Sequence, residues 1–230
     1  MDRLFPEGAL VFEVGAGAGN MVATLLEHGA GKVVAVEPGP RILYDLQARF
    51  GQDERVIVVP KAVGVRPGTE RLAVHSGLLS GSTLVPEVAW GPGTLYSAYR
   101  PGVYDQVEVT TLDALVEAHG IPAFVNLTVV GYEWQALCGL TALLPRVAFS
   151  VTHATILAGW AGRAVDRIVE IAPKATFNYG DRDALRYDEQ GALYVPPLRW
   201  AQWKDARRVH ALLPEVDDPG LWGRIHARMV

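Results

Sequence analysis

The chain has 230 residues, half of them apolar, which is enough for one sizeable hydrophobic core. Its formal net charge of −4 lacks the strongly basic character of nucleic-acid-binding surfaces, so we expect no nucleic-acid partner. The single cysteine, Cys138, excludes an intramolecular disulfide, and no apolar run reaches the ~20 residues that a membrane helix needs. The first residues are too polar for a signal peptide. We therefore expect a cytoplasmic protein with no membrane partner, and its many Ala, Gly, Arg and Val residues favour a bacterial origin.

Strands and helices alternate over the first sixty residues. Residues 10–14, 32–36 and 56–59 are apolar runs, as expected for parallel strands that are covered on both faces. Between them, residues 20–28 and 40–50 carry apolar side chains at helical spacing. This alternation predicts an α/β fold with a parallel, doubly wound sheet.

The alternation is interrupted at residues 76–106, which are rich in Gly, Pro, Ser and aromatic residues. A loop this long in a compact domain usually has a function, and its aromatic residues are interpreted either as a lid over a substrate or as anchors of the loop. The remaining predicted strands are residues 70–75, 107–111, 124–130 and 147–151 and a closing pair, 176–179 and 193–195; the remaining predicted helices are residues 112–119, 132–144 and 162–172.

Residues 1–197 are predicted to form one domain, because no linker divides them and Pro196 and Pro197 end the pattern. Residues 198–230 are predicted to be a short helical tail with one helix around residues 201–213. The tail carries three tryptophans, so we expect it to pack on the domain or on a partner. A homodimer is compatible with this composition.

The strongest functional feature is the segment Glu13-Val-Gly-Ala-Gly-Ala-Gly-Asn20, which links the first predicted strand to a helix. Glycines at this position let a ligand approach the backbone, and the helix N-terminus supplies free N–H groups. Glu37 ends the second predicted strand, where a carboxylate can accept hydrogen bonds from both hydroxyls of a ribose. Glycines alone would fit a tight turn that binds nothing. The two acids at strand ends favour a nucleotide-type cofactor.

The glycine spacing distinguishes between cofactors. Gly15, Gly17 and Gly19 alternate, whereas the dinucleotide fingerprint would have its third glycine at position 20, which is Asn20. The spacing fits better the E/D-x-G-x-G-x-G loop of S-adenosylmethionine (SAM)-dependent methyltransferases. Glu13 would then hold the amino group of the methionine part, directly or through water. A nicotinamide-dependent enzyme is an alternative that rests on Glu37 and strand order alone.

Further segments resemble the FkbM-like family of SAM-dependent methyltransferases. Beside the glycine loop and Val-Val-Ala-Val-Glu-Pro (33–38), they are Lys-Ala-Val-Gly (61–64), Gly-Ser-Thr-Leu (81–84), Val-Thr-Thr-Leu-Asp-Ala-Leu (109–115) and Gly-Tyr-Glu (131–133). The resemblance covers residues 9–196 and implies a Rossmann-like seven-strand class I methyltransferase sheet with helices on both faces, and most often methylation of a substrate hydroxyl. The cofactor-binding residues it implies are Glu13, Gly15, Ala16, Gly17, Gly19, Asn20, Glu37, Pro38, Ala62 and Ser82.

The chain departs from this family where the reacting groups are expected. The family typically has Lys-Ile-Asp-Val-Glu-Gly before the Gly-Tyr-Glu helix, but Asn126, Thr128 and Val130 stand in place of the lysine and the two acids. His153 is the titratable group left at this edge of the sheet, and an imidazole suits a general base near neutral pH. The alternative for His153 is a partly exposed residue with no role. Asn126 and Thr128 are either hydrogen-bonding groups that face the substrate or drift in a protein that no longer catalyses.

Two functional hypotheses follow. The first is a SAM-dependent methyltransferase that methylates a hydroxyl of a small molecule, a secondary metabolite or a sugar-like compound, with His153, Asn126 and Thr128 as candidate catalytic residues. The second is a non-catalytic protein of the same fold that binds the cofactor or a partner, because the Lys/Asp/Glu set is missing. We expect no metal, since the spacing of His75, Glu133 and His153 does not require one.

Overall fold

The structure is a computed structural model that describes residues 4–75, 81–91, 102–181, 186–187, 193–194, 203–213 and 222–230. The elements of the first half are β1 (Ala9–Val14), α1 (Asn20–Glu27), β2 (Ala30–Val36), α2 (Pro40–Phe50), β3 (Val56–Val59), β4 (Ala62–Val63), β5 (Gly68–Ala73), α3 (Pro86–Ala89), β6 (Tyr104–Thr110) and α4 (Leu112–His119). Those of the second half are β7 (Phe124–Leu127), α5 (Glu133–Cys138), β8 (Arg146–Thr152), α6 (His153–Leu157), α7 (Trp160–Ile171), β9 (Thr176–Asp181), β10 (Arg186–Tyr187), β11 (Leu193–Tyr194), α8 (Ala206–Leu212) and β12 (Trp222–Arg228).

The main sheet has seven strands in the order β3-β2-β1-β7-β8-β12-β9. The first five strands in this order are parallel, and β12 is antiparallel to both of its neighbours. Along the chain, β2 and β3 are added on one side of β1. The later strands β7 and β8 are added on its other side. The carboxyl ends of β1 and β7 therefore form the topological switch point, where open α/β sheets bind their ligands. The predicted α/β sheet of seven strands is confirmed.

The hydrophobic core lies in two layers, one on each face of the sheet. One layer contains Leu25 of α1 and Leu46 of α2, and the other contains Leu137 of α5, all fully buried. Within β1, Val11 belongs to the first layer and Phe12 to the second, because successive side chains of a strand point to opposite faces. Helices on both faces were predicted and are confirmed. No helix in the described part of the chain is long and apolar enough to cross a membrane.

The end of the chain fills the sixth position of the sheet. β12 lies between β8 and β9 and pairs with both, so this part of the predicted tail belongs to the sheet, and a boundary at residue 197 does not separate it from the domain. The predicted closing strand at 193–195 is wrong, because β11 pairs with β10 in a separate two-stranded ladder. The predicted helix of the tail corresponds to α8. As an internal strand, β12 satisfies its backbone groups along both of its sides.

Two helices differ from their predictions. α5 ends at Cys138, earlier than predicted, and the next residue, Gly139, packs directly on the backbone of Gly64, where a Cβ would overlap the carbonyl oxygen. α6 begins immediately after β8, where only a strand end was predicted. Its start is fixed by a capping box, since Thr152 accepts from the N–H of Thr155 and donates its own N–H to Oγ1 of Thr155 at 2.9 Å. The predicted strands around residues 70 and 107 form β5 and β6 of a small three-stranded sheet.

The long loop is described over residues 81–91 and from residue 102 onwards. Trp90 is buried in it, and its Nε1 donates to the carbonyl oxygen of Gly81 at 3.1 Å. Its ring meets His75 edge-on, with 5.6 Å between ring centroids. Trp90 thus anchors the loop to the domain, in agreement with the second interpretation of its aromatic residues. Tyr96 and Tyr99 lie outside the described residues.

Candidate cofactor and active site

A cleft opens at the carboxyl ends of β1, β2 and β7, at the switch point of the sheet. It brings together most of the residues that the sequence predicted to bind a cofactor: Glu13, Gly15, Ala16, Gly17, Asn20, Glu37, Pro38, Ala62 and Ser82. Further residues of its lining are Lys61, Leu72, Thr83, Thr128, Val130, Tyr132 and Arg224. Gly19, the remaining predicted cofactor residue, lies in the loop but not in the lining. Residues distant in sequence therefore meet where this fold class binds ligands.

Two glycines of the loop are required by the packing of the chain itself. Gly15 has φ +82°, and a Cβ there would overlap the carbonyl oxygen of Thr128. Gly19 has φ +84°, and a Cβ there would lie 2.5 Å from the ring of Phe50. Both positions would strain any other residue. The tight-turn interpretation thus explains these two glycines, and it is the acids and the cleft that indicate a ligand.

Glu37 joins the glycine loop to the end of β2. Its Oε2 accepts from the N–H of Gly17 and its Oε1 from the N–H of Gly39, both at 2.8 Å. Burial raises the pKa of this carboxyl, and the two N–H donors oppose that rise. Each carboxylate oxygen has two acceptor sites, so each can take one further hydrogen bond. Glu37 is thus held rigidly and can still accept two hydroxyl groups from the cleft.

Asn126 connects Glu13 to Arg224. Its Nδ2 donates to Oε2 of Glu13 at 2.7 Å, and its Oδ1 accepts from Nη1 of Arg224. Glu13 and Asn126 lie side by side on β1 and β7, while Arg224 comes from β12. Burial raises the pKa of Glu13 to about 8, although the charge of Arg224 and the hydrogen bond from Asn126 both lower it. The Glu13 carboxyl therefore holds a proton at neutral pH in the ligand-free protein.

Glu133 supports the loop that follows β7. Its buried Oε1 accepts from Oγ of Ser150 and from the N–H of Val129, the latter at 3.2 Å, and burial raises its pKa. In this loop Val130 has φ +49°, a strained value for a β-branched residue. The carbonyl oxygen of Val130 accepts from Oγ1 of Thr83 at 2.8 Å. One wall of the cleft is thus held in an uncommon conformation by hydrogen bonds from both sides.

The three predicted catalytic residues occupy different places. Thr128 lines the cleft, and its buried Oγ1 has no hydrogen-bond partner among the described residues. Asn126 lies beneath the cleft in its bridge between Glu13 and Arg224. His153 is buried as the first residue of α6 and does not belong to the cleft lining. Catalytic roles for these three residues stay predictions, and Thr128 has the free hydroxyl that a ligand would meet.

Sequence reasoning missed Arg224, because it assigned this part of the chain to a helical tail. A signal was present: Arg224, His226 and Arg228 alternate with Ile225 and Ala227, the period of a strand.

In the described ranges, no three His, Cys, Asp or Glu side chains gather so that they could hold a metal ion.

The strand order, the antiparallel strand at its sixth position and the acid–glycine loop at its switch point together define a fold of the class I methyltransferase type. A family model described as "Methyltransferase FkbM domain" matches residues 13–186, well over half of the chain. The chain therefore belongs to the FkbM methyltransferase family. The predicted family is confirmed.

The chain is also similar to solved structures. The methyltransferase FkbM from Methylobacillus flagellatus KT superposes with a TM-score of 0.51 at 18% identity, over 74% of this chain and 39% of that one. The chain thus spans about two fifths of the Methylobacillus protein, and the likeness shows the fold alone. The precorrin-6y C5,15-methyltransferase from Geobacter metallireducens GS-15 superposes with a TM-score of 0.47 at 9% identity, over 97% and 81% of the two chains. None of the curated proteins matches the sequence.

Proposed function

We propose that this protein transfers a methyl group from SAM to a hydroxyl of a small molecule. The observation that carries the proposal is the pair Glu13 and Glu37, which end adjacent strands and face one cleft on either side of the glycine loop. In a chain of a methyltransferase family, this arrangement is suited to a cationic nucleoside cofactor.

The residues of the cleft fit SAM part by part. Glu37 would accept hydrogen bonds from the ribose hydroxyls, and Glu13 would lie near the ammonium group of the methionine part. Asn20 is held by Nη1 of Arg49 at 2.8 Å, which fixes the first residue of α1 at the edge of the cleft. The unpartnered Oγ1 of Thr128 also favours a ligand here, because a buried hydroxyl without a partner costs about 1–3 kcal/mol.

When bound, SAM supplies a methyl group on a positively charged sulfur. The contribution of the chain is to hold the acceptor oxygen near the methyl carbon, and such positioning can supply ~7 kcal/mol or more of the rate enhancement. Thr128 and Tyr132 line the cleft beside Glu13 and would orient an acceptor hydroxyl through uncharged hydrogen bonds. The neighbouring Val130 adds an apolar side chain to the same wall.

Titration calorimetry of the purified chain with S-adenosylhomocysteine tests the cofactor. We expect saturable binding of one ligand per chain, and no heat of binding would overturn the proposal. Incubation with SAM and a panel of hydroxylated small molecules, followed by mass spectrometry, tests the acceptor, with the matching O-methylated compounds as controls. Methyl ethers are expected. Transfer to amines alone would overturn the hydroxyl assignment, and binding without any transfer would favour a non-catalytic protein.

Thr128→Val tests whether the free hydroxyl meets the acceptor. We expect kcat/KM for the acceptor to fall about three- to tenfold, the value of one neutral hydrogen bond. The free energy of unfolding should stay within about 1 kcal/mol of wild type or rise, because valine has the same shape and removes an unsatisfied group. Thr69→Val on the exposed part of β5 is the control and should change neither quantity. An unchanged kcat/KM in Thr128→Val would mean that the hydroxyl has no contact with the acceptor.

A further inference from the structure

Arg224 brings a positive charge to the cleft that the proposed function has not used. Because β12 runs antiparallel to β8, Arg224 pairs with Ser150 near the carboxyl end of β8. This register places its guanidinium beside the ends of β1 and β7, and it lines the cleft together with Glu13 and Thr128. The charge is half-buried, so it is screened less by water than a surface charge would be.

The immediate partner of Arg224 is neutral. Nη1 donates to Oδ1 of Asn126, and no ion pair joins Arg224 to a carboxylate of the described residues. A guanidinium has five N–H donors in a planar fork, so most of them are left for a ligand. The other cation of the cleft, Lys61, differs, because its Nζ lies 3.0 Å from Oε2 of Glu108. Arg224 is therefore a cleft cation that forms no ion pair within the described residues, although the nearby carboxyls of Glu13 and Glu133 act on its charge.

In the part of the chain that the structure describes, the cleft wall beside Arg224 carries no charged side chain that pairs with it. Thr128 and Val130, which line the same side of the cleft, carry no charge. Two buried carboxyls, Glu13 and Glu133, act on this charge, and burial raises the pKa of both, which favours their neutral forms and weakens them as counter-ions. A partly desolvated cation without an ion pair is unfavourable, whereas a guanidinium fork and a carboxylate form two parallel, charge-assisted hydrogen bonds.

We propose that Arg224 is an anion-binding residue of the cleft and that the group it binds is a carboxylate of a bound ligand. The inference rests on the proposed function for the identity of that ligand. Two sources offer this chemistry: the methionine carboxylate of the cofactor, and a carboxylate on the methyl acceptor. Asn126 is the positioning residue, since it accepts a hydrogen bond from Arg224 outside the cleft lining and is itself fixed by Glu13.

Calorimetry with Arg224→Gln separates the two sources. If Arg224 binds the methionine carboxylate, the affinity for S-adenosylhomocysteine falls about tenfold or more, while the affinity for decarboxylated S-adenosylhomocysteine is unchanged. If Arg224 binds a carboxylate of the acceptor, Arg224→Gln leaves the affinities for both adenosyl ligands unchanged. Malonate, added after saturation with S-adenosylhomocysteine, then binds to wild type but not to Arg224→Gln. Equal binding of all three probes by wild type and Arg224→Gln would overturn the inference.

Controls keep this outcome apart from misfolding and from failure of the proposed function. Arg228→Gln is the matched control, because it changes the same residue type on the same strand. The guanidinium of Arg228 lies 3.9 Å from the ring centroid of Trp203 and does not line the cleft. This variant should bind all three probes as wild type does. Arg224→Lys keeps the charge without the fork and should show a smaller loss for the same probe. If wild type binds neither adenosyl ligand, the proposed function fails, and malonate binding that depends on Arg224 would still support an anion site.

Discussion

Replacement of Glu37 by alanine is expected to weaken the affinity for S-adenosylhomocysteine by about 100-fold or more. Two effects combine. The carboxylate would lose its hydrogen bonds to the ribose hydroxyls, each worth about 1.5–3 kcal/mol when the acceptor is charged. The N–H groups of Gly17 and Gly39 would also lose their acceptor, which releases the loop that shapes the cleft. Titration calorimetry measures the loss, with unfolding curves to show that the variant remains folded.

Two further variants sharpen this result. Glu54→Ala removes an exposed acid of the same half of the sheet and should bind as wild type does. Glu37→Gln keeps the size of the side chain, but its amide nitrogen would face one of the two backbone N–H donors, so the affinity should again fall. A Glu37→Ala variant that is folded and binds S-adenosylhomocysteine with wild-type affinity would rule out the assignment of Glu37 to the cofactor.

Replacement of Glu13 by glutamine is expected to remove a loss of stability that the wild-type protein undergoes as the pH rises. In the unfolded chain this carboxyl ionises near its ordinary pKa of 4.5, and in the folded protein burial raises the pKa to about 8. Between these values the folded state holds one proton more than the unfolded state. The free energy of unfolding therefore falls by about 1.4 kcal/mol per pH unit in this window and levels off above about pH 8.

Glutamine cannot ionise, yet its side-chain oxygen can still accept the hydrogen bond from Asn126. We expect Glu13→Gln to equal wild type below about pH 4.5 and to be the more stable protein by several kcal/mol near pH 8. Urea unfolding at a series of pH values gives the two curves, and their difference isolates Glu13 because all other groups titrate in both. Glu27→Gln, an exposed residue of α1, should run parallel to wild type. If the free energies of unfolding of Glu13→Gln and wild type changed with pH in parallel, burial would not raise the pKa of Glu13.

The parts of the fold that could be predicted are those that the local sequence determines. The parallel strands of the first half are short apolar runs between helices of clear period, so β1, β2 and β3 lie close to their predicted positions. The place of β12 is different, because it depends on pairing with strands that lie far away in the sequence. Its alternating pattern was readable as a strand, yet nothing local could indicate that it enters the sheet between β8 and β9.

The residues of the site also differ in whether the local sequence could predict them. Glu13 and Glu37 were predictable because acids at the ends of adjacent parallel strands must meet at one edge of the sheet. The Asn126 bridge was not, since its two hydrogen bonds join residues 113 and 98 positions apart. His153 was predicted from its place after a strand, but α6 begins at that residue, and His153 is buried away from the cleft.

The insertion of β12 makes the site dependent on the order in which the chain is synthesised. β8 and β9 leave the ribosome before β12, and in the finished sheet neither is paired with the other. A nascent chain that lacks residues 222–228 would have β9 without its sheet neighbour and a cleft without Arg224. The cleft is therefore complete only when residues 222–228 have been translated and inserted, so that a product truncated before them would carry the glycine loop and both acids but would lack the guanidinium.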